Sequence, residues 1–294
     1  APGLWSLDNY GNKLIATIVD GASFEWDSDG STSTRATIIA NAPTAALQTL
    51  VSTPDRHLVF FGTETTIGTT STQDDMYIRF SDQESIDATT SYAPSATNTA
   101  GTQRLADGTR IVAAIRGRDA IYVWTDTSLF IMRFVGAPFT FSFQQVGTNC
   151  GLIGKHAAVE VDGSAYWMSE NGFFRYTGRL ESLPCLVEDY VYDDINTVPK
   201  NHIYAGLNNL FGEVTWFYPG SGAASNNRSV TYNYMDSTPE RPVWTTSSLA
   251  RSSWFDSSIF GKPHGTEYDS SATSDSTVGN TDGVTTYFEH ETGQ

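Results

Sequence analysis

Hairpins recur along this chain at a nearly regular interval, and that interval limits the folds open to it. The clearest is "RDAIYVWTDTSLFIMRF", residues 118–134. Ile121, Tyr122, Val123 and Trp124 are β-branched or aromatic, and Leu129, Phe130, Ile131, Met132 and Phe134 mirror them across "TDTS". Asp and Ser in such a break bond their own backbone and favour a turn. Neither arm alternates apolar with polar, so both strands are expected to be covered on both faces. The same logic gives hairpins at 13–27, turning at Asp20-Gly21, and at 57–82 with a longer Thr/Ser-rich turn. Residues 164–178 turn at Glu170-Asn171-Gly172, and Asn-Gly is a strong hairpin signal. Residues 212–236 give a fifth hairpin and 264–291 a weaker sixth.

The hairpins start at 13, 57, 118, 164, 212 and 264, so the spacings are 44, 61, 46, 48 and 52 residues. A period of about 40–50 residues with strands in every unit is the rhythm of a β-propeller. Each blade is a small antiparallel sheet with a neighbour on either face, which would cover both sides of "AIYVWTDTSLFIMRF". "RIVAAIRG" (110–117) and "KHAAVEVDG" (155–163) supply further strands to complete four-stranded blades. The prediction is an all-β chain, a β-propeller of six blades of antiparallel strands, with a β-sandwich or stacked β-domains as the alternative. One short helix is expected within "LVEDYVYDDIN" (186–196), where Val187, Val191 and Ile195 recur every four residues. It would decorate a blade edge.

A closed propeller would use residues 1–294 as one domain. The chain opens at "APGLWSLDNYG" without an initiator Met and stops at "TTYFEHETGQ", so it reads as a piece of a longer polypeptide. Seventeen Lys and Arg stand against 33 Asp and Glu, a net charge of −16. Such a surface repels phosphate backbones and argues against general attraction to nucleic acid. It is compatible with DNA that must pass without sticking. No run is long and apolar enough to span a membrane as a helix.

Sites of chemistry are thin. Asp27-x-Asp29-Gly30 in "WDSDGSTST" resembles the start of a calcium loop, but the next odd position carries no acid and the twelfth no Glu. A bland acidic turn is the better reading, and no metal or cofactor is expected. Paired carboxylates of a glycosidase would have to come from Asp74-Asp75, Asp82, Glu84 or Asp193-Asp194, all in turns and loops. The Ser-x-Asp-x-Gly-x-x-Trp box of sialidase propellers is absent. His57, His156, His202, His264 and His290 belong to no nucleophile elbow, and there is no phosphate loop. Arg110, Arg116 and Arg118 bracket the turn "RGRD", as solvated charges or as partners of Asp119 or Asp126. Cys150 and Cys185 read as two buried thiols, with their pairing left open. No catalytic residue is expected.

A family resemblance lies in the middle of the chain. "FSDQES" (80–85), "IVAAIRGRDAIYVWTDTSLF" (111–130), "FSFQQVGTNCGLIG" (141–154), "VDGSAYWMSENGFFRY" (161–176) and "VEDYVYDDIN" (187–196) occur in this order. The set resembles the β-propeller region of tail nozzle proteins of short-tailed bacteriophages, also called tail tubular or stabilisation (tail hub) proteins. The resemblance implies a virion protein assembled in the host cytoplasm. It implies a ring, six copies in the family's usual form, below the portal and adaptor. That ring closes the DNA-filled head and forms the genome exit, beside tail fibres or spikes. Loops at one mouth would plug the channel until the host surface is met. The family implies no catalytic residue. The alternative is a glycan- or receptor-binding, or glycan-hydrolysing, propeller, with Tyr92 and Trp254 as loop aromatics for sugars to stack on.

Overall fold

Strands that follow one another in sequence pair with one another, so each sheet is a meander. The computed structural model describes residues 4–53, 55–257, 263–266 and 289–290. The chain divides into two units, Ala1–Gly151 and Leu152–Gln294. The first unit holds three four-stranded antiparallel sheets. They are β1 (Trp5–Tyr10), β2 (Lys13–Ile18), β3 (Ser23–Asp27) and β4 (Thr37–Ile38); β5 (Ala46–Ser52), β6 (His57–Thr63), β7 (Tyr77–Phe80) and β8 (Gly101–Arg104); and β9 (Ile111–Arg116), β10 (Ile121–Thr125), β11 (Ser128–Gly136) and β12 (Thr140–Thr148). The second unit holds β13 (Ala158–Val161), β14 (Ser164–Ser169), β15 (Gly172–Tyr176) and β16 (Leu180–Leu183), then β17 (Tyr204–Asn208), β18 (Glu213–Tyr218), β19 (Arg228–Asn233) and β20 (Trp244–Ser247). Its last sheet is β21 (Ser253–Phe255), β22 (His264–Thr266) and β23 (Glu289–His290).

Strand β6 explains why the hairpin arms lack a polar face. All seven of its residues are buried. Leu58 and Phe60 pack with Ile15 and Ile39 of the first sheet region, in a cluster that includes Tyr10 and Tyr92. Val59 and Phe61 point the other way, into a cluster with Ile121, Val123, Phe130 and Met132 of the third sheet. Successive side chains alternate across a strand, so one strand serves two cores. Each large side chain there contributes about 1.5–3 kcal/mol by leaving water.

The five hairpins expected between residues 13 and 236 form with the strands paired antiparallel. Asp20 adopts a left-handed φ of 58° at the first of their turns. In "TDTS" only Asp126 and Thr127 turn, because Thr125 and Ser128 already belong to the strands. The Thr125 hydroxyl accepts from the Ser128 amide at 2.9 Å and so fixes the corner. Likewise Gly172 pairs with Ser169 as the first residue of β15, leaving Glu170 and Asn171 to turn. Most of the expected hairpin 264–291 lies outside the described residues, which do show β22 paired with β23.

The helix forms as α1 (Glu188–Asp194), shorter than its apolar pattern. Its acidic first turn, Glu188 and Asp189, suits the helix dipole. Val191 is buried, and the Tyr192 hydroxyl donates to Ser169 O at 2.7 Å, at the β14–β15 turn. No described helix is long and apolar enough to cross a membrane.

Candidate interaction surface

In the first unit, β11 and β12 are the longest strands, nine residues each. They run past β10, so their far end has no third strand beside it. There the apolar side chains of Phe134, Val135 and Phe139 stand in solvent, with Phe139 77% exposed. Arg133 is exposed among them. Beside the base of this hairpin lies a cavity of about 180 Å³, lined by Ser52, Thr53, Arg116, Arg118, Phe134 and Phe141 among others.

The arginines at its rim differ in role. Arg116 reaches Asp8 of β1 at 2.5 Å and Val51 O of β5 at 3.0 Å. Asp119 or Asp126 as its partner, the alternative to solvated charges, is not what forms, because the Asp126 carboxylate turns back to its own loop. There it accepts from the amide (2.8 Å) and hydroxyl of Thr109. Burial alone would raise the Asp126 pKa, but these bonds hold it below the ordinary range. Arg118 and Asp119 sit exposed at the turn and form no ion pair among the described residues.

Under the cavity floor lies a buried polar network that the sequence reading missed. His57 Nδ1 is 2.5 Å from Asp55 Oδ2, and both side chains are essentially inaccessible. Asp55 also accepts from the Ser52 hydroxyl at 2.6 Å. His57 Nε2 lies 2.9 Å from Thr99 Oγ1, and Phe134 and Phe141 pack on the imidazole. The order Thr–His–Asp imitates a hydrolase triad. The Thr99 hydroxyl, however, donates to Asp82 at 2.7 Å and accepts from the Gln83 amide at 2.9 Å. With His57 those contacts use its one donor and two acceptor positions. Its role is to tie the 81–100 loop to β6. Asp82, raised by burial but lowered more by the Thr99 and Gln83 bonds, is held below the ordinary carboxylate range. The signal that could have found this network is the Asp55-x-His57 pair at the mouth of the apolar run Leu58–Phe61.

A second side-chain bridge joins sheets in this unit. Gln48 of β5 donates to Ala114 O at 2.7 Å and accepts from the Ala114 amide at 2.9 Å. Its side-chain amide thus meets β9 as a neighbouring strand would.

The second unit carries a different cleft, about 340 Å³, lined by Arg175, Arg179, Glu181, Pro184, Tyr232 and Pro239 among others. Glu181 accepts from Arg175 at 2.6 Å and from Arg179. The guanidinium groups hold its carboxyl below the ordinary range, the hydrogen bond from Arg175 first. Trp244 donates through Nε1 to Pro184 O at 2.9 Å and fixes the wall.

The remaining candidates fall apart in space. Asp27 and Asp29 share the Asn12 side-chain amide, and the Asp29 amide caps Asp27 at 2.9 Å, which makes an ordinary acidic turn. Among the described residues no three His, Cys, Asp or Glu side chains gather as a metal would need. Asp74 is taken by Arg104 at 2.6 Å, Glu84 by Arg56 at 3.7 Å and Asp194 by Arg228 at 3.2 Å. The Asp75 carboxyl is raised by burial, with Arg110 opposing. His156 stacks on Tyr204 with ring centres 5.4 Å apart, and His202 Nδ1 meets Ala224 O at 3.0 Å. His264 is buried on β22, and the His290 side chain lies outside the described residues. Cys150 and Cys185 form no disulfide. Burial pushes their thiols up to about 11 and about 12, which leaves them poor nucleophiles at neutral pH.

Tyr92 and Trp254 are not exposed platforms. Tyr92 is 1% exposed, and its hydroxyl donates to Ile86 O at 2.8 Å. Trp254 packs against Phe217 and donates to Leu207 O at 2.8 Å. The Tyr92 loop folds back and Trp254 sits in β21, because an aromatic with one polar atom gains more from a core with a carbonyl at its rim than from water.

No family model and no curated protein matches the sequence. Solved structures do resemble the fold. Sqt1 of Saccharomyces cerevisiae aligns with a TM-score of 0.55 at 10% identity, over 92% of this chain and 72% of Sqt1. The AfRom2 CNH domain aligns at 0.52 and 11%, over 91% of this chain and 78% of that domain. The extracellular domain of the putative one-component system BT4673 from B. thetaiotaomicron gives 0.50 and 12%, over 99% of this chain and 34% of that one. With six successive antiparallel sheets in chain order, this likeness makes the fold a β-propeller.

Proposed function

We propose that this chain is a structural subunit of a short phage tail, a nozzle or hub protein assembled as a ring below the portal and adaptor. One observation carries the reading. An acidic chain presents, on its third sheet, a long hairpin whose end leaves Val135 and Phe139 exposed and Phe134 partly so. Exposed apolar residues on a rigid strand pair mark a protein contact. The polar networks beneath it serve to hold loops in place, as a load-bearing conduit requires. The net charge of −16 suits a wall that DNA passes without adhering. Opening of the channel would move loops or tilt whole subunits, because blades packed on both faces do not deform continuously. The test is the native mass and symmetry of the protein, purified and in the particle. Six copies on the tail axis support the reading. Three copies on a peripheral fibre, or no tail location, overturn it.

The second reading is a glycan- or receptor-binding propeller, favoured by the cleft at Arg175, Glu181 and Tyr232. Its volume of about 340 Å³ is in the range of small-ligand sites. A glycan array without hits removes it.

A further inference from the structure

We infer that the β11–β12 hairpin is one half of a head-to-tail contact between copies of this chain, and that its other half is the segment 186–198 around α1. The inference rests on the ring reading and names its surfaces. The end of the third sheet that holds Phe134 carries Arg116, Arg118 and Arg133 against the one acid Asp119, in a chain of net charge −16, and among the described residues only Arg116 of these arginines is paired, with Asp8. Arg118 and Arg133 are exposed and form no ion pair among the described residues. They flank the exposed Phe134, Val135 and Phe139. This is a cationic, apolar surface on an acidic protein.

The complementary surface belongs to the same sequence. Residues 186–198 hold four acids and no Lys or Arg. Leu186 is 80% exposed and Val198 90%, with Tyr190 exposed between them. Asp189 and Asp193 are exposed and form no ion pair among the described residues, whereas Asp194 is already held by Arg228. The helix segment is therefore an apolar patch rimmed by acids, and the hairpin end an apolar patch where the exposed Arg118 and Arg133 outnumber the one exposed acid, Asp119. The two patches lie on different stretches of the chain, so their pairing is heterologous. A heterologous contact generates rings or filaments, whereas a patch that pairs with itself gives closed dimers. The acids of the helix segment oppose helix-to-helix association, and the excess of arginine at the hairpin end attracts them, which favours the head-to-tail arrangement. The cavity between Arg118 and Phe134 offers a place for an exposed side chain of the neighbour's segment.

Charge exchange tests this. Full-length chain is prepared with Arg118→Glu and Arg133→Glu, and separately with Asp189→Lys and Asp193→Lys. All four positions are exposed, and circular dichroism confirms folding. Sedimentation and native mass spectrometry should show each variant self-associating at least about tenfold more weakly than the parent chain, at low salt most of all. An equimolar mixture should regain assembly, because the reversed hairpin of one variant meets the reversed helix of the other. Phe139→Ser, which alters no charge, should weaken association at all salt concentrations. If the parent forms rings and both charge variants assemble as well as it does, the contact lies elsewhere and this inference falls while the ring reading stands. If the hairpin variant still assembles but no longer joins the tail, another tail protein occupies the face, and the inference falls. A parent chain that stays monomeric in solution and in the particle overturns both.

Discussion

The two units solve one problem in different ways. Stacked sheets must satisfy the polar groups caught between them. The first unit does so with hydroxyls and carboxylates: Ser52, Asp55, His57, Thr99 and Asp82 in one network, and Thr17 bonded to Ser23 at 2.6 Å and Thr49 at 2.7 Å in another. The second unit uses indoles. Trp216 donates to Ala157 O at 3.0 Å, Trp244 to Pro184 O and Trp254 to Leu207 O. Their rings join Phe173, Tyr232 and Phe217 in a run of aromatic contacts. An indole carries one donor on a large apolar body, so it pins a carbonyl and fills volume together. A hydroxyl–carboxylate network adds little volume but fixes more atoms. The first unit therefore gains local precision, and the second gains bulk packing.

The largest expected effect is in the second unit. Trp216→Ala should cost about 3–5 kcal/mol by cavity and lost bond together. Urea unfolding measures the loss, and hydrogen exchange should place the lost protection in residues 152–257. Equal loss in the first unit would erase the distinction. In the first unit, Thr99→Val leaves His57 and Asp82 short of a partner and should cost about 1–3 kcal/mol. Faster exchange should appear in the 81–100 loop and β6 before anywhere else.

A pH titration separates the units next. Burial, with Lys155 adding to it, lowers His156 to about 4. Folded protein then keeps the ring neutral while unfolded chain protonates near pH 6.5. The contribution is full above about pH 6.5 and is lost as pH falls towards 4, by roughly 2 kcal/mol for a half-buried ring. His156→Phe should flatten the acid limb of a melting-temperature profile, and an unchanged limb would show that His156 titrates normally. Smallest is Arg116→Met. The pair with Asp8 is partly solvated, so about 0–1 kcal/mol is expected, vanishing in high salt.

Much of the fold was legible because local signals and long-range packing agree. Asp20-Gly21 and Asn171-Gly172 mark turns whatever surrounds them. The unbroken apolar run from Leu58 to Phe61 states that both faces are covered, though not by what. The polar networks were hidden for a different reason. Thr99 lies 42 residues from His57, and nothing in a hydrophobic period tells which hydroxyl will meet which ring. Tyr92 misled because a loop aromatic looks alike whether the loop extends or folds back, and Trp254 because it belongs to a three-residue strand, too short to show a pattern. The exposed hairpin tip had a visible mark in Phe134-Val135 and Phe139, apolar residues that continue past the end of β10. Their exposure follows only once β10 is known to begin at Ile121, opposite Met132.

Gln48 has a consequence for what this chain can tolerate. Its amide presents to Ala114 one donor and one acceptor, the pattern of a peptide group. Among side chains only Asn and Gln carry an N–H donor and a carbonyl acceptor on one planar amide, and Asn is one methylene shorter. Position 48 therefore acts as a gauge block: its length records the gap between two sheets, and any variant that keeps that gap is held to a single residue type there.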